Sequence, residues 1–228
     1  MKIAASAAAL LLATTVLSQA QGPAPLARVD KLPLAYLQGA QKLTKGDGEL
    51  IVPSSSIRKR ENAGVSVHTN LRVFVPAASA VPTVGPQTIR PAGMPPYFGY
   101  AYETPATLAC IYAQVTPSAG CRPDSFFTVA TGGSRAIAIV DAYHYPNARA
   151  DLAAFSAQFG LPAPTSANFA QVNLGGTATD DGWGQEAALD IQMAHALAPN
   201  AKIYLVEAAS NSMTDMLAAV DRASALVA

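Results

Sequence analysis

The chain has 228 residues, of which half are hydrophobic and 13% charged, with 15 basic side chains against 15 acidic ones. That balance leaves enough apolar content for one sizeable core, and it excludes a disordered chain and an electrostatic nucleic-acid binder, both of which need strong net charge. Charged residues average about 25% in ordinary domains, so this surface relies on Ala, Ser, Thr, Gly and Pro, as in many secreted proteins.

Residues 1–20 read as a signal peptide. Lys2 supplies the positive start, IAASAAALLLATTVL the short apolar run, and Ser18 and Ala20 the small residues before a cut at Gln21. A membrane anchor needs roughly 20 predominantly apolar residues, and no later stretch meets that. The expected location is therefore extracellular or periplasmic, with no membrane association after cleavage. Residues 21–96 read as a short, irregular pro-segment or linker, with proline scattered through it and one possible strand, LRVFVPA. Its basic cluster Arg58, Lys59 and Arg60 reads as a solvated charge run, with a processing site as the alternative.

From residue 97 onward, apolar strands alternate with amphipathic helices, the pattern of an α/β domain with a parallel sheet. The stretch ETPATLACIYA opens on Thr104 as N-cap and Pro105 at the first helical position, with Leu108, Ile111 and Tyr112 on one side. RAIAIVDAY is a buried strand ending at Asp141, and NARADLAAFSAQFGLP is a helix with Leu152, Phe155 and Phe159 at helical spacing. Gly160 and Pro162 stop that helix. A helix from about Trp183 to Leu197 follows, then the buried strand AKIYLVEA, then a helix opening on a Ser212/Asp215 capping box. In that last helix Met213 and Met216 read as core. Right-handed crossovers are expected, with ligands beyond the carboxyl ends of the strands, where Asp141 and Glu207 stand. With no strand after the last helix, the domain reads as open, a C-terminal half being missing.

The two cysteines, Cys110 and Cys121, favour a local disulfide in an oxidising compartment over a thiol pair or a metal site. His68, His144 and His195 stand at no ligand spacing to them, so no metal site is expected. LGGTATDDG is glycine-rich but lacks a phosphate-loop spacing and reads as a surface turn, and His144 reads as a structural loop residue.

Glu186 and Asp190 stand four apart, hence on one face of their helix. At 100° per residue Leu189, Asp190, Met193 and Leu197 fall on the side of Glu186, which puts both acids on the apolar stripe and His195 away from it. Two close carboxylates share a proton, and such a pair suits acid–base work in acid, where histidine is already protonated. The alternative is that Glu186 caps or salt-bridges locally and Asp190 is solvated. Trp183 either lines a substrate cleft or packs beside the helix start.

The segment from Asp181 to Ala208 resembles the central region of the sedolisins, the serine-carboxyl peptidases, in its Trp/Gly turn, its Glu and Asp four apart, AHALAP and the strand reading LVEA. AIVDAYHYPNARADLAAFSAQFGLP, AYETPATLACIY and GVSVHTNLRV resemble further blocks of that family. The resemblance implies an α/β, subtilisin-like parallel sheet flanked by helices and incomplete at the C-terminus, with residues 97–228 the N-terminal part of a secreted, acid-acting serine-type endopeptidase domain. It assigns Glu186 as general base toward a serine hydroxyl, Asp190 as the group that orients it, and a protein or peptide as substrate. The family's nucleophile motif, oxyanion aspartate and calcium ligands match no segment here. Ser156, Ser166, Ser210, Ser212 and Ser224 fit no Gly-Thr-Ser pattern. Calcium is thus expected of the complete family and no cofactor of these residues, with the other half of the domain as a possible partner. Two alternatives stand beside this reading: subtilisin chemistry with Asp141 and His195, and a secreted binding module without catalysis.

Overall fold

The computed structural model describes residues 41–45, 48–76, 103–116, 120–122 and 126–228. The expected signal peptide lies outside the described residues.

Within the segment read as irregular, a three-stranded antiparallel meander forms from β1 (Gln41–Lys45), β2 (Gly48–Val52) and β3 (Val73–Pro76). Ile51 on the central strand is buried. Proline is tolerated at the end of β3 because that strand lies at the edge of the meander. Between β2 and β3, residues 53–72 form a strap with single turns at Ser54–Ser56 and Arg60–Asn62. Arg58, Lys59 and Arg60 are exposed on it.

The strap reaches the second half of the fold, where Ser66 forms an antiparallel bridge with Ser212. Within the strap, the Ser55 and Ser56 hydroxyls are both hydrogen-bonded to the buried Thr69 at 2.8 and 2.6 Å.

Helix α1 (Pro105–Ile111) begins at Thr104, whose hydroxyl accepts from Thr107 N while Thr107 Oγ1 accepts from Thr104 N. The expected apolar side is wrong in part: Ala106, Ala109 and Cys110 are buried, whereas Ile111 and Tyr112 are exposed. The Cys110–Cys121 disulfide, with Cα atoms 5.6 Å apart, fixes which side faces inward and turns the larger residues out.

The parallel sheet consists of β4 (Ala136–Ala142), β5 (Phe169–Asn173) and β6 (Lys202–Ala208) in the order β4-β6-β5. Helices α2 (Ala148–Phe159) and α3 (Asp181–Leu197) share one core with Phe169, Ile203 and Leu205. Helix α4 (Met213–Val227) covers the other face through Ala219 and Ala223 against Val206 and Ala208. Side chains of β6 alternate between these two cores, as a strand buried on both faces must. Met216 packs on the α4 core, but Met213 is exposed at the helix start.

Two details of this layout depart from the sequence reading. Strand β5 is absent from it. The path from β4 to β5 also crosses over β6, and the path from β5 to β6 returns across the same face, so the two crossovers have opposite hands. One of them breaks the right-handed rule that holds in about 98% of such units.

Caps follow the sequence closely. Gly160 ends α2 in the left-handed conformation at φ 67°, which costs a glycine nothing. Ser212 caps α4 by accepting from Asp215 N at 3.1 Å, but the reciprocal half of the box is relayed: Asp215 accepts from Ser210 Oγ, and that hydroxyl accepts from Ser212 N.

Candidate active site

Asp141 and Glu207 are register partners near the carboxyl ends of β4 and β6. The period of two that sends Ile203 and Leu205 toward α3 sends Glu207 the same way. Glu207 is 1% exposed and fully engaged: Oε1 accepts from Tyr145 N at 2.8 Å and from Gln171 Nε2 at 2.7 Å, and Oε2 accepts from His144 Nδ1 at 2.8 Å. His144, read as a structural loop residue, is held by this bond.

Asp141 is 2% exposed and its Oδ2 has no hydrogen-bond partner. Burial, then the neighbouring charges of Asp190, Glu186 and Glu207, push its pKa up to about 8. It holds its proton at neutral pH, as a buried carboxyl without a counter-charge must.

The other two acids come from α3. Asp180 caps that helix by accepting from Trp183 N at 2.9 Å, and Trp183, Ala187 and Ile191 face inward. The stripe therefore differs from the one read in the sequence, since Leu189 is exposed and small Ala187 lets the helix lie close to the sheet. Glu186 and Asp190 stand on the flank of the buried stripe, both partly buried. Burial, then the charge of Asp190, raises the pKa of Glu186, while a backbone hydrogen bond from Asn70 of the strap acts in the opposite sense. Burial raises Asp190. Glu186 Oε2 is buried without a partner, and among the described residues neither acid forms a salt bridge. Among the described residues no cap or ion pair accounts for the two acids.

His195 is buried, and its Nε2 donates to the Pro162 carbonyl at 2.7 Å. It is thus a structural core histidine with its outward nitrogen already spent, and no base for Asp141. Trp183 is 4% exposed and forms one wall of a cavity of about 410 Å³ shared with Arg58, Lys59, His68, Tyr143 and Asn211.

Four of the five serines considered above spend their hydroxyls elsewhere. Ser156 and Ser224 donate to the carbonyls of Leu152 and Val220, Ser210 donates to Asp215, and Ser212 caps α4. No group of three or more His, Cys, Asp or Glu side chains among the described residues is arranged to hold a metal ion. No helix among them is long and apolar enough to cross a membrane.

Glu207 as a hydrogen-bond centre and the strap above Glu186 are features the sequence reading missed. The first had a signal, an acid at the end of an otherwise apolar strand; the second had none. The chain matches no protein-family model, no curated protein and no solved structure.

Proposed function

We propose that this chain is the N-terminal part of a secreted, acid-acting serine-type endopeptidase of the sedolisin kind, on a subtilisin-like sheet. The observation that carries the reading is the grouping of Glu186 and Asp190 on one helix flank, with Asp141 beneath them, at the carboxyl end of a parallel sheet. Ligands of open α/β sheets bind at that end. A carboxylate whose pKa is raised serves as general base nearer to its operating pH than an ordinary one, and it does so in acid where imidazole cannot.

In this reading Glu186 takes the proton of a hydroxyl nucleophile. Asp190 orients Glu186 and disfavours a second negative charge beside it. Asp141 stays protonated, so three acids sit together without three charges. Nothing in this scheme is routed through calcium.

The engagement of Ser156, Ser210, Ser212 and Ser224 favours a second reading, a peptidase-like binding module without catalysis. Casein and haemoglobin hydrolysis across pH 2–8 separates the two. The purified chain is expected to hydrolyse neither protein; in a full-length relative carrying a Gly-Thr-Ser motif, the variant equivalent to Glu186→Gln is expected to lose activity while keeping its fold. Undiminished activity in that variant would remove Glu186 from the chemistry, and turnover by the purified chain would show a nucleophile among these residues.

A further inference from the structure

The strap is a closed loop. Thr69 N donates to the Ser55 carbonyl at 2.9 Å and Leu71 N to Ser56 Oγ at 2.8 Å, so its two ends are tied together. Its far side is fixed as well, by Val67 N to the Asn211 carbonyl and by Met213 N to the Val65 carbonyl, both at 2.8 Å. Near its start the strap meets α3 at Gly182, where a Cβ atom would stand 2.1 Å from Ser55 Oγ, so a larger residue there would displace Ser55. A compact loop held at its ends and at its far side keeps whatever hollow it encloses in a fixed shape.

That hollow is the cavity of about 410 Å³ beside Trp183, within the roughly 300–1,000 Å³ usual for small-molecule sites. Its titratable lining is Arg58, Lys59 and His68 from the strap, with Tyr143 and Asp180 from the other side. The last two are already engaged: Tyr143 OH donates to Asn211 Oδ1 at 3.0 Å, and Asp180 accepts from Trp183 N at 2.9 Å. The strap's cations are not. Among the described residues neither Arg58 nor Lys59 forms an ion pair. His68 Nδ1 donates to the Thr69 carbonyl at 2.8 Å, which leaves Nε2 unbonded among the described residues. The remainder of the wall includes Ile57, Val67 and Trp183 and is apolar there. An ordinary solvated charge run borders no such hollow. Arg60, the third cation of the run, does not line it.

From this arrangement we infer that the strap and α3 together form a site for a small organic phosphate, its head on Arg58 and Lys59 and its apolar body against Ile57, Val67 and Trp183. A phosphate monoester carries close to two negative charges at about pH 7, which matches two cations without partners. A guanidinium takes two of its oxygens in parallel, and an ammonium beside it acts as a point charge. The site stands whether or not Glu186 performs any chemistry.

The test titrates phenyl phosphate into the full chain at about pH 7. Calorimetry reads binding, and the fluorescence of Trp183, the sole tryptophan, places it. Saturable binding with a change in that fluorescence is expected. Arg58→Gln combined with Lys59→Gln should weaken it about tenfold or more. Arg60→Gln removes a like charge from outside the cavity and should change binding by less than about twofold. All three side chains are exposed, so these variants are expected to fold as the unmodified chain does. Inorganic phosphate, the head alone, and benzyl alcohol, the body alone, should each bind at least about tenfold more weakly than phenyl phosphate. Four results would each overturn the site: no saturable binding, binding that leaves Trp183 unchanged, equal losses in Arg60→Gln and the double variant, or inorganic phosphate binding as tightly as the ester. None of these measurements involves hydrolysis, so the site and the peptidase reading fail separately.

Discussion

Asp141 and Glu207 lie side by side on neighbouring strands, both buried, yet Glu207 receives three hydrogen bonds while Asp141 Oδ2 receives none. The site's electrostatics follow from that contrast. One acid has donors for both of its oxygens, and the other stays neutral beside it.

Stability should therefore fall as pH rises. Asp141 holds its proton up to about pH 8 in the folded chain, whereas the same carboxyl in the unfolded chain releases it near 3.8. Between these values the folded state binds more protons, so stability is greatest below the lower one, declines through the interval, and the contribution is gone above the upper one. One such group changes stability by at most about 1.4 kcal/mol per pH unit. Urea midpoints measured from pH 4 to pH 8 should drop steadily, and Asp141→Asn should flatten the curve and raise the midpoint at pH 8. A profile that is flat in the unmodified chain would contradict a buried neutral Asp141.

The carboxyls should titrate as a group. Asp190 is the first charge acting on both Asp141 and Glu186 after burial itself. Asp190→Asn is expected to lower the apparent pKa of both, and carbon-13 shifts of the carboxyl groups followed with pH would record it. If neither moves, the acids are electrically independent and the shared-proton scheme fails.

Glu207→Ala should be among the most damaging single changes. It strands the donors of His144, Tyr145 and Gln171 around a buried hole. Leaving a buried donor unsatisfied costs about 1–3 kcal/mol, and this change strands more than one. Urea denaturation should show a loss of that order, with Glu207→Gln losing less because it keeps an acceptor for Tyr145 N. Equal losses in the two variants would mean that side-chain volume matters there and hydrogen bonding does not.

Reducing the Cys110–Cys121 bond should loosen α1 before it touches the parallel sheet. The bridge spans 11 residues in sequence. A loop of that size stabilises by about 2–3 kcal/mol through the unfolded chain. Hydrogen exchange after mild reduction should rise first across residues 105–111, with β6 protected; simultaneous loss in both regions would tie the bridge to the main core.

The elements that could be read in the sequence are those whose ends carry their own chemistry. Thr104 with Pro105, Gly160 with Pro162, and Ser212 with Asp215 mark boundaries by hydrogen bonds made within a few residues. The apolar runs of β4 and β6 are long enough to declare themselves buried on both sides. Strand β5 is only five residues, with Gln171 at its centre serving Glu207, so its pattern is set by the site and not by the core. The facing of α3 escaped because Ala187 ranks low in hydrophobicity yet lies deep, while Leu189 ranks high and lies outside. Contacts between Asn70 and Glu186, or Val67 and Asn211, join residues more than a hundred positions apart, and nothing local in either partner announces them.

The placement of β6 between β4 and β5 governs when this molecule can begin to exist. The β4 and β5 strands never touch each other, so beyond the β1–β3 meander a nascent chain emerging from the ribosome has no parallel pair to form until Lys202–Ala208 has cleared the exit tunnel. Until then both strands remain unpaired edges, the state most open to capture by chaperones or by aggregation. Pairing of β4 and β5 into this sheet is thus deferred until β6 is made, and a stop codon upstream of it leaves both without the strand that joins them.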